Sequence, residues 1–318
     1  MARPRRELTQ AEIIRIATVA RRHYVDDVSK SDLAEELGVN RFKIAKMLDE
    51  ARARGIIQFV INMPAELDSS LSDELADANG LKDALVVKGV EDEDATNLRA
   101  ALGQAAASFL TDKLRPGDIL GLAAGRTIGA LSASVLRLPP CTTVALTGVL
   151  PAASMSTSSI EQLRRMSIAA DGPAYPIYTP WLVSDARTAA ALRREPEVSE
   201  ALGRHDTLTI AVVAIGSWNP PDSTLYDAVT EPERQALRAK DVAAEFAGIF
   251  VDSDGVVVET ELVQRMIAIS SGQLRAVPFV LAVAGGSNKH QAISAALRSG
   301  YIHSIVTDSG TARALVRA

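Results

Sequence analysis

The sequence predicts an α/β protein in which a small helical head precedes a large parallel-sheet body. Three observations support this. Between Lys30 and Leu48, KSDLAEELGVNRFKIAKML has the spacing of a helix-turn-helix. From residue 84 onward, short uninterrupted apolar runs alternate with helix-like segments, the pattern of a parallel sheet covered on both faces. The charge divides in step with these two regions. Residues 1–57 carry 12 Lys/Arg against 9 Asp/Glu, a net of +3, while the rest carries 22 against 30, a net of −8. At 318 residues the chain is long enough for two domains, one of them with a substantial core.

The head begins with a helix expected over 9–24, with Ile13, Ile16, Ala17 and Ala20 on its buried side and Thr9 followed by Glu12 as a capping box. In the helix-turn-helix, Leu33, Ala34 and Leu37 line one face of a short helix. Gly38 supplies the turn, where a residue able to take positive φ is wanted. Ala34 is small, as a close helix crossing requires. Val39 fills the corner, Asn40 caps the next helix, and Ile44, Met47 and Leu48 form its inward stripe. Arg41, Phe42, Lys43, Ala45 and Lys46 remain outward at the front of that helix. These are donors and apolar groups suited to a major groove and its flanking phosphates, so Asn40, Arg41, Phe42, Lys43 and Lys46 are the candidate DNA-binding residues. Gly55 stops the helix, and IIQFVI at 56–61 reads as a strand, either a wing beside the helices or a bridge into the body. The division expected is a helix-turn-helix DNA-binding domain over 1–57 and a body over 58–318. A connector occupies about 58–80, where Pro64 precedes a polar helix over 65–78.

In the body, an Ala-rich helix is expected over 95–114. The strand candidates are ALVV at 84–87, DILGL at 118–122, TVAL at 143–146, LTIAVVAIG at 208–216, GIFV at 248–251, FVLAVAGG at 279–286 and SIVTD at 304–308. Ligands of such Rossmann-like sheets sit at the carboxyl ends of the strands, so the loops after these runs are the places to look for chemistry.

Three such loops carry ligand-binding residue types. GLAAGRTIG at 121–129 turns from strand to helix at Gly125. The helix start offers amides to an anion, and Arg126 and Thr127 add a planar cation and a hydroxyl. VAGGSNKHQAISAAL at 283–297 runs through Gly285 and Gly286 to a cap at Ser287 or Asn288. Lys289 then stands in the first helical turn, where a cation is unfavourable beside the positive dipole end unless it reaches an anion. In IVTDSGTARAL at 305–315, Ser309 or Thr311 can cap the last helix. Asp308 serves either a sugar hydroxyl or that cap, and the cap is the preferred reading. Glu245, flanked by apolar residues in DVAAEFAGIFVDSDG, is a candidate inward carboxylate, and SDG after it reads as a tight turn.

Composition excludes several classes. One cysteine, Cys141, rules out an internal disulfide framework or a cysteine zinc site and agrees with a reducing cytosol. No apolar run approaches the length of a membrane span, and the basic start MARPRRELTQ lacks the apolar stretch of a signal peptide. No GxGxxG, Walker, HExxH or GxSxG motif occurs, and four scattered histidines give no metal spacing, so neither cofactor nor metal is expected.

With these residues in place, the chain resembles the SorC/DeoR-type sugar-binding transcriptional regulators over nearly its full length. The resemblance rests on the helix-turn-helix, GDILGLAAGRTIGAL at 117–131, VVAIGSW at 212–218, FAGIFVDSDGVVV at 246–258, and AVAGGSNKHQAISAALRSGYIHSIVTDSGTARAL at 282–315. It implies a body of the sugar-phosphate isomerase/CoA-transferase-like fold that binds a phosphorylated sugar, and homo-oligomers, dimeric or tetrameric, on double-stranded operator DNA. The family's phosphate and sugar contacts fall on Gly125, Arg126, Thr127, Glu245 and Lys289. The chain departs from the usual family residues at Ala124, Lys240 and Glu245. The expected function is a cytoplasmic, effector-controlled regulator of a carbohydrate operon, without catalytic activity. The rival is a sugar-phosphate isomerase or hydrolase with an appended DNA-binding head, against which stands the lack of a general base with an orienting partner.

Overall fold

The computed structural model describes residues 8–57, 66–89, 95–150 and 158–317. The chain divides into two compact units, residues 1–63 and 64–318. The expected strand at 56–61 and the start of the connector fall largely outside the described residues.

The first unit is a three-helix bundle: α1 (Gln10–Tyr24), α2 (Lys30–Glu36) and α3 (Arg41–Ala53). Each helix start is fixed by its own side chains. Thr9 and Glu12 form the capping box, Ser29 accepts from the Asp32 amide, and Asn40 accepts from the Lys43 amide at 2.8 Å. Gly38 takes φ of +60° between α2 and α3, the conformation the tight turn requires. Ile16, Val19, Ala20, Leu33, Ala34, Ile44, Leu48 and Ala51 form the core. Ile13, expected inside, is instead 41% exposed, because the buried stripe of α1 runs through Ile16, Val19 and Ala20. An Arg22–Glu36 ion pair ties α1 to α2.

The second unit opens with α4 (Ser69–Asn79), capped by Asp68, and β1 (Asp83–Val87). α5 (Ala95–Lys113), β2 (Ile119–Leu122), α6 (Arg126–Ser134), β3 (Thr142–Ala145), α7 (Ser159–Ala169) and β4 (Ala174–Tyr175) follow. Then come β5 (Ile210–Ala214), β6 (Gly216–Trp218), β7 (Pro221–Asp222), β8 (Val242–Phe246), β9 (Ile249–Asp252), β10 (Phe279–Val283) and β11 (Ser304–Asp308). Among the described residues, seven of these strands form one parallel sheet in the order β1-β11-β10-β5-β2-β3-β4. Its strands bury alternate residues in two cores. Ala211, Val213, Val280, Ala282 and Ile305 face one layer, and Ile210, Val212, Leu281, Val283 and Val306 face the other.

Two details depart from the expected single sheet. The run at 208–216 breaks at Ile215, so β5 belongs to the parallel sheet and β6 does not. GIFV at 248–251 is not a parallel strand either: β6, β7, β8 and β9 form a separate four-stranded antiparallel sheet in the order β7-β6-β8-β9. Uniform hydrophobicity hid the change, because this small sheet is covered too. Trp218, Phe250 and Tyr226 pack beneath it edge to face, with ring centroids 5.1 and 5.4 Å apart.

The strand order sets where a ligand goes. From β2 the chain proceeds outward through β3 to β4, and from β5 it proceeds the opposite way through β10 to β11. The winding therefore reverses between the neighbours β2 and β5, and such a switch point leaves a crevice beyond the strand ends.

Candidate ligand cleft and nucleic-acid interface

The crevice is where the sequence-predicted residues gather. Leaving β2, the chain passes Gly125 and enters α6 at Arg126 and Thr127. Gln162 of α7 donates to the Gly125 carbonyl at 3.2 Å and holds this turn. Leaving β10, it passes Gly285 and Gly286 into a short 3₁₀ turn, Ser287–Lys289, before the helix His290–Arg298. Neither Ser287 nor Asn288 caps that helix through its side chain. The 3₁₀ turn intervenes, and Lys289 itself takes the cap position. The Gly286 amide is not open to an anion either, since it donates to Asp308 Oδ2 at 2.9 Å and Thr311 Oγ1 at 3.1 Å. Gly285 abuts the Asp308 carboxylate and Leu102 so closely that a side chain there would clash. Asp308, rather than Ser309 or Thr311, caps the final helix, accepting from the Thr311 amide.

Lys289 points into the crevice. Its Nζ donates to the Ile215 carbonyl at 2.9 Å and lies 3.4 Å from Asp222 Oδ2. Arg126 pairs with the other oxygen of the same carboxylate, and Asn288 donates to Oδ2 at 3.2 Å. Burial works to raise the Asp222 pKa, but Lys289 and Arg126 outweigh it and hold the carboxyl below its ordinary range. Burial lowers the Lys289 pKa, an effect that Asp222 opposes and Arg126 reinforces. Arg99, one turn into α5, is a third cation at this place. Burial and repulsion from Arg126 lower its pKa, against an attraction to Asp222.

These groups border two connected spaces. A cleft of about 410 Å³ is lined by Arg99, Thr127, Asp222, Gly285, Gly286 and Lys289 among others. A smaller chamber of about 30 Å³, room for a water-sized group, adds Gly125, Arg126, Trp181, Ser223 and Glu245. Asp222, Arg99, Thr127 and Lys289 line both.

Glu245 is 5% exposed on β8, directly opposite Gly216 of β6. Its Oε1 accepts from Ser223 Oγ at 2.7 Å, and Oε2 has no hydrogen-bond partner among the described residues. Burial raises its pKa against the opposing pull of Ser223, the Gly248 amide and Lys289. Gly216 is needed there, since a Cβ would collide with Glu245 Oε1 and Ser223. The indole Nε1 of Trp181, also buried at the chamber, likewise has no partner among the described residues. Glu245 and Trp181 thus place a buried acceptor and a buried donor in the wall of this chamber, beside the cations Arg99, Arg126 and Lys289.

Asp222, Arg99, Ser223 and Trp181 are the lining residues that the sequence reading missed. Ser223 alone had a local signal, since it caps the helix Thr224–Ala228. Asp222 meets Arg126 from 96 positions away, and no spacing rule reports such a contact.

In the first unit, Asn40 is taken up in capping α3, while Arg41, Phe42, Lys43 and Lys46 are all exposed. Phe42 is 86% exposed. Lys43 and Lys46 also border a groove of about 420 Å³ with Leu8, Ile16, Met47, Glu50 and Arg54. Arg41, Phe42 and Lys46 thus stand exposed at the front of α3, with Ala45 half-buried among them.

Comparison with known proteins covers both units of the chain. Residues 63–317 match the family described as "Putative sugar-binding domain". The transcriptional regulator LsrR of Enterobacter sp. (strain 638) is 30% identical over 321 residues, covering 97% of this chain and 94% of that protein. The crystal structure of the full-length sorbitol operon regulator SorC from Klebsiella pneumoniae is similar in fold, with a TM-score of 0.72 at 24% identity over 96% of this chain and 100% of that one. A DeoR family transcriptional regulator from Listeria monocytogenes matches with a TM-score of 0.69 at 25% identity, over 78% of this chain and 98% of its own.

Proposed function

The chain belongs to the SorC-type family of sugar-binding transcriptional regulators, and from that premise we propose that residues 1–57 read double-stranded operator DNA while the body binds a phosphorylated sugar that controls this reading. The observation that carries the phosphate is the convergence of Arg126, Lys289 and Arg99 on one cleft at the switch point of the sheet, beside the start of α6. Asp222 is the carboxylate that Arg126 and Lys289 share, so three cations face one counter-charge, and a phosphate would take charge-assisted bonds from the excess. Glu245 Oε2 and Trp181 Nε1, a buried acceptor and a buried donor in the wall of the same chamber, are the groups a sugar hydroxyl would meet there.

The body binds this ligand and does not transform it. Glu245 is held by Ser223, and its titratable neighbours Asp222, Arg126 and Lys289 are engaged with one another in an ion-paired cluster, which favours binding over proton transfer. Control of DNA binding requires only that the ligand prefer one of two states of the protein. A single helix-turn-helix buries little surface, so tight operator binding calls for a homo-oligomer, at least a dimer.

The test is a thermal-shift and gel-shift screen with pentoses and hexoses, free and phosphorylated. A phosphorylated sugar at about a hundred times its Kd should stabilise the protein by roughly 2.7 kcal/mol and change its affinity for operator DNA. Equal stabilisation by free sugars would remove the phosphate from the reading, and turnover of any of these sugar phosphates would favour the enzymatic alternative.

A further inference from the structure

Phe42 is a large apolar side chain in the first turn of α3, 86% exposed, and it takes no part in the core of its own unit. The rest of that turn is fixed: Asn40 holds the Lys43 amide at 2.8 Å, and Ile44 is fully buried two positions on. The ring is therefore held outward by the helix it stands on. Ala45, three positions on and half-buried, adds a methyl beside the ring, and Arg41 and Lys46 are exposed cations on the same stretch of helix. A phenyl ring has nothing to offer a phosphate. Of the features that base pairs present in the major groove, the one that an apolar group recognises is the 5-methyl of thymine.

We propose that Phe42, supported by Ala45, is the specificity-determining contact to one or more thymine methyl groups in the operator, while Arg41 and Lys46 anchor the helix beside it. This rests on the reading of α3 as the DNA-facing helix and adds which chemical feature of the base pair it selects. It also predicts a division of labour along one helical turn. Lys46 sets the salt dependence, Arg41 adds affinity and reads a base of its own, and the ring sets a preference for thymine that salt leaves in place.

The probe is a duplex enriched by the wild-type protein from a randomised pool, resynthesised with uracil in place of thymine. Uracil keeps every hydrogen-bonding group of thymine and removes only the methyl. Wild type should bind the uracil duplex more weakly by roughly fourfold for each contacted methyl, the fold-change corresponding to one buried CH₂. Phe42→Ala should bind the thymine duplex more weakly than wild type and lose most of the thymine-to-uracil ratio. Arg41→Ala should weaken both duplexes and keep that ratio. Equal binding of the two duplexes by wild type overturns the proposal, as does a Phe42→Ala variant with the full wild-type ratio. Either result leaves the DNA reading itself intact. A ring wedged between base steps in the minor groove would give the first of these outcomes, because the methyl projects only into the major groove. If the pool yields no enriched sequence, the DNA reading falls and takes this inference with it.

Discussion

Asp222 Oδ2 lies 3.4 Å from Lys289 Nζ, while the other oxygen of the same carboxylate pairs with Arg126. Two of the three cations that the cleft offers to an anion are thus bridged by a carboxylate of the protein's own. Asp222 stands where a ligand phosphate would make its charge-assisted bonds, so the two compete for the same donors.

Replacing Asp222 by Asn should therefore act in opposite directions on the two states. Without ligand, Lys289 and Arg126 lose their common counter-charge, which should cost stability by about 1.5–3 kcal/mol, the range for hydrogen bonds to a charged group. With ligand, the competitor is gone and sugar-phosphate affinity should rise. Calorimetric titration and thermal melting of Asp222→Asn read the two effects separately. A fall in affinity would instead make Asp222 a direct ligand contact, for instance to a sugar hydroxyl.

The Lys289 side chain is mostly buried, and its ammonium is held by the Ile215 carbonyl as well as by Asp222. Lys289→Ala should abolish most of the stabilisation by a phosphorylated sugar and leave the weaker response to the matching free sugar unchanged. A thermal-shift comparison of the two ligands on the variant suffices. Equal phosphate response in variant and wild type would show that the anion sits elsewhere.

What was legible in the sequence was whatever local chemistry specifies. The capping box at Thr9 and Glu12, the Asn40 cap, the Gly38 turn and the loops at 125–127 and 285–289 follow from side chains within a few positions of one another. The break after β5 was not legible, because VVAIGSW stays apolar as the chain leaves the parallel sheet at Ile215 and enters the antiparallel one at Gly216. The inner wall of the cleft was hidden for another reason. Asp222, Arg99 and Trp181 come from the two-residue strand β7, an Ala-rich helix and a loop that carry no ligand motif. Only the fold brings them to Arg126 and Lys289. The Gly286 amide shows the converse: a glycine beside a helix start reads as an anion site, and a distant Asp308 already occupies it.

Glu245 gives a pH dependence with a definite sign. Burial raises its folded-state pKa above the ordinary 4.5. The protonated form is thus favoured by folding, so its contribution to stability is full below that value and is lost as pH rises through the raised one. Asp222 behaves oppositely, since its pKa is held down. Its contribution is present above the ordinary 3.8 and is lost as pH falls through the lower folded value, so the two windows do not overlap. Glu245→Gln, which keeps an acceptor for Ser223, should be more stable than wild type near neutral pH and match it in acid. Chemical denaturation across pH reads this directly, and parallel curves for the two proteins would contradict it.

The exposed front of α3 yields the last prediction. Arg41 is outward in the first turn, next to the capped helix start, and has the planar fork that pairs with guanine O6 and N7. Lys46 lies a turn further along, beside the groove bordered by Met47 and Glu50, and its ammonium is a point charge suited to phosphate. Arg41→Ala should therefore cost roughly 1–3 kcal/mol on the operator and relax the preference at one base position. Lys46→Ala should weaken operator and unrelated DNA alike and reduce the salt dependence of binding by about one phosphate's worth of released counterion. Both side chains are exposed, so neither change should disturb the helix-turn-helix core of Leu33, Ala34, Ile44 and Leu48, and unchanged circular dichroism checks that. Binding isotherms at several salt concentrations separate the two roles. If operator affinity were the same as wild type in both variants, α3 would not be the helix that meets DNA. A reversed pattern, with Lys46 setting base preference and Arg41 the salt slope, would keep the helix and exchange the assignments.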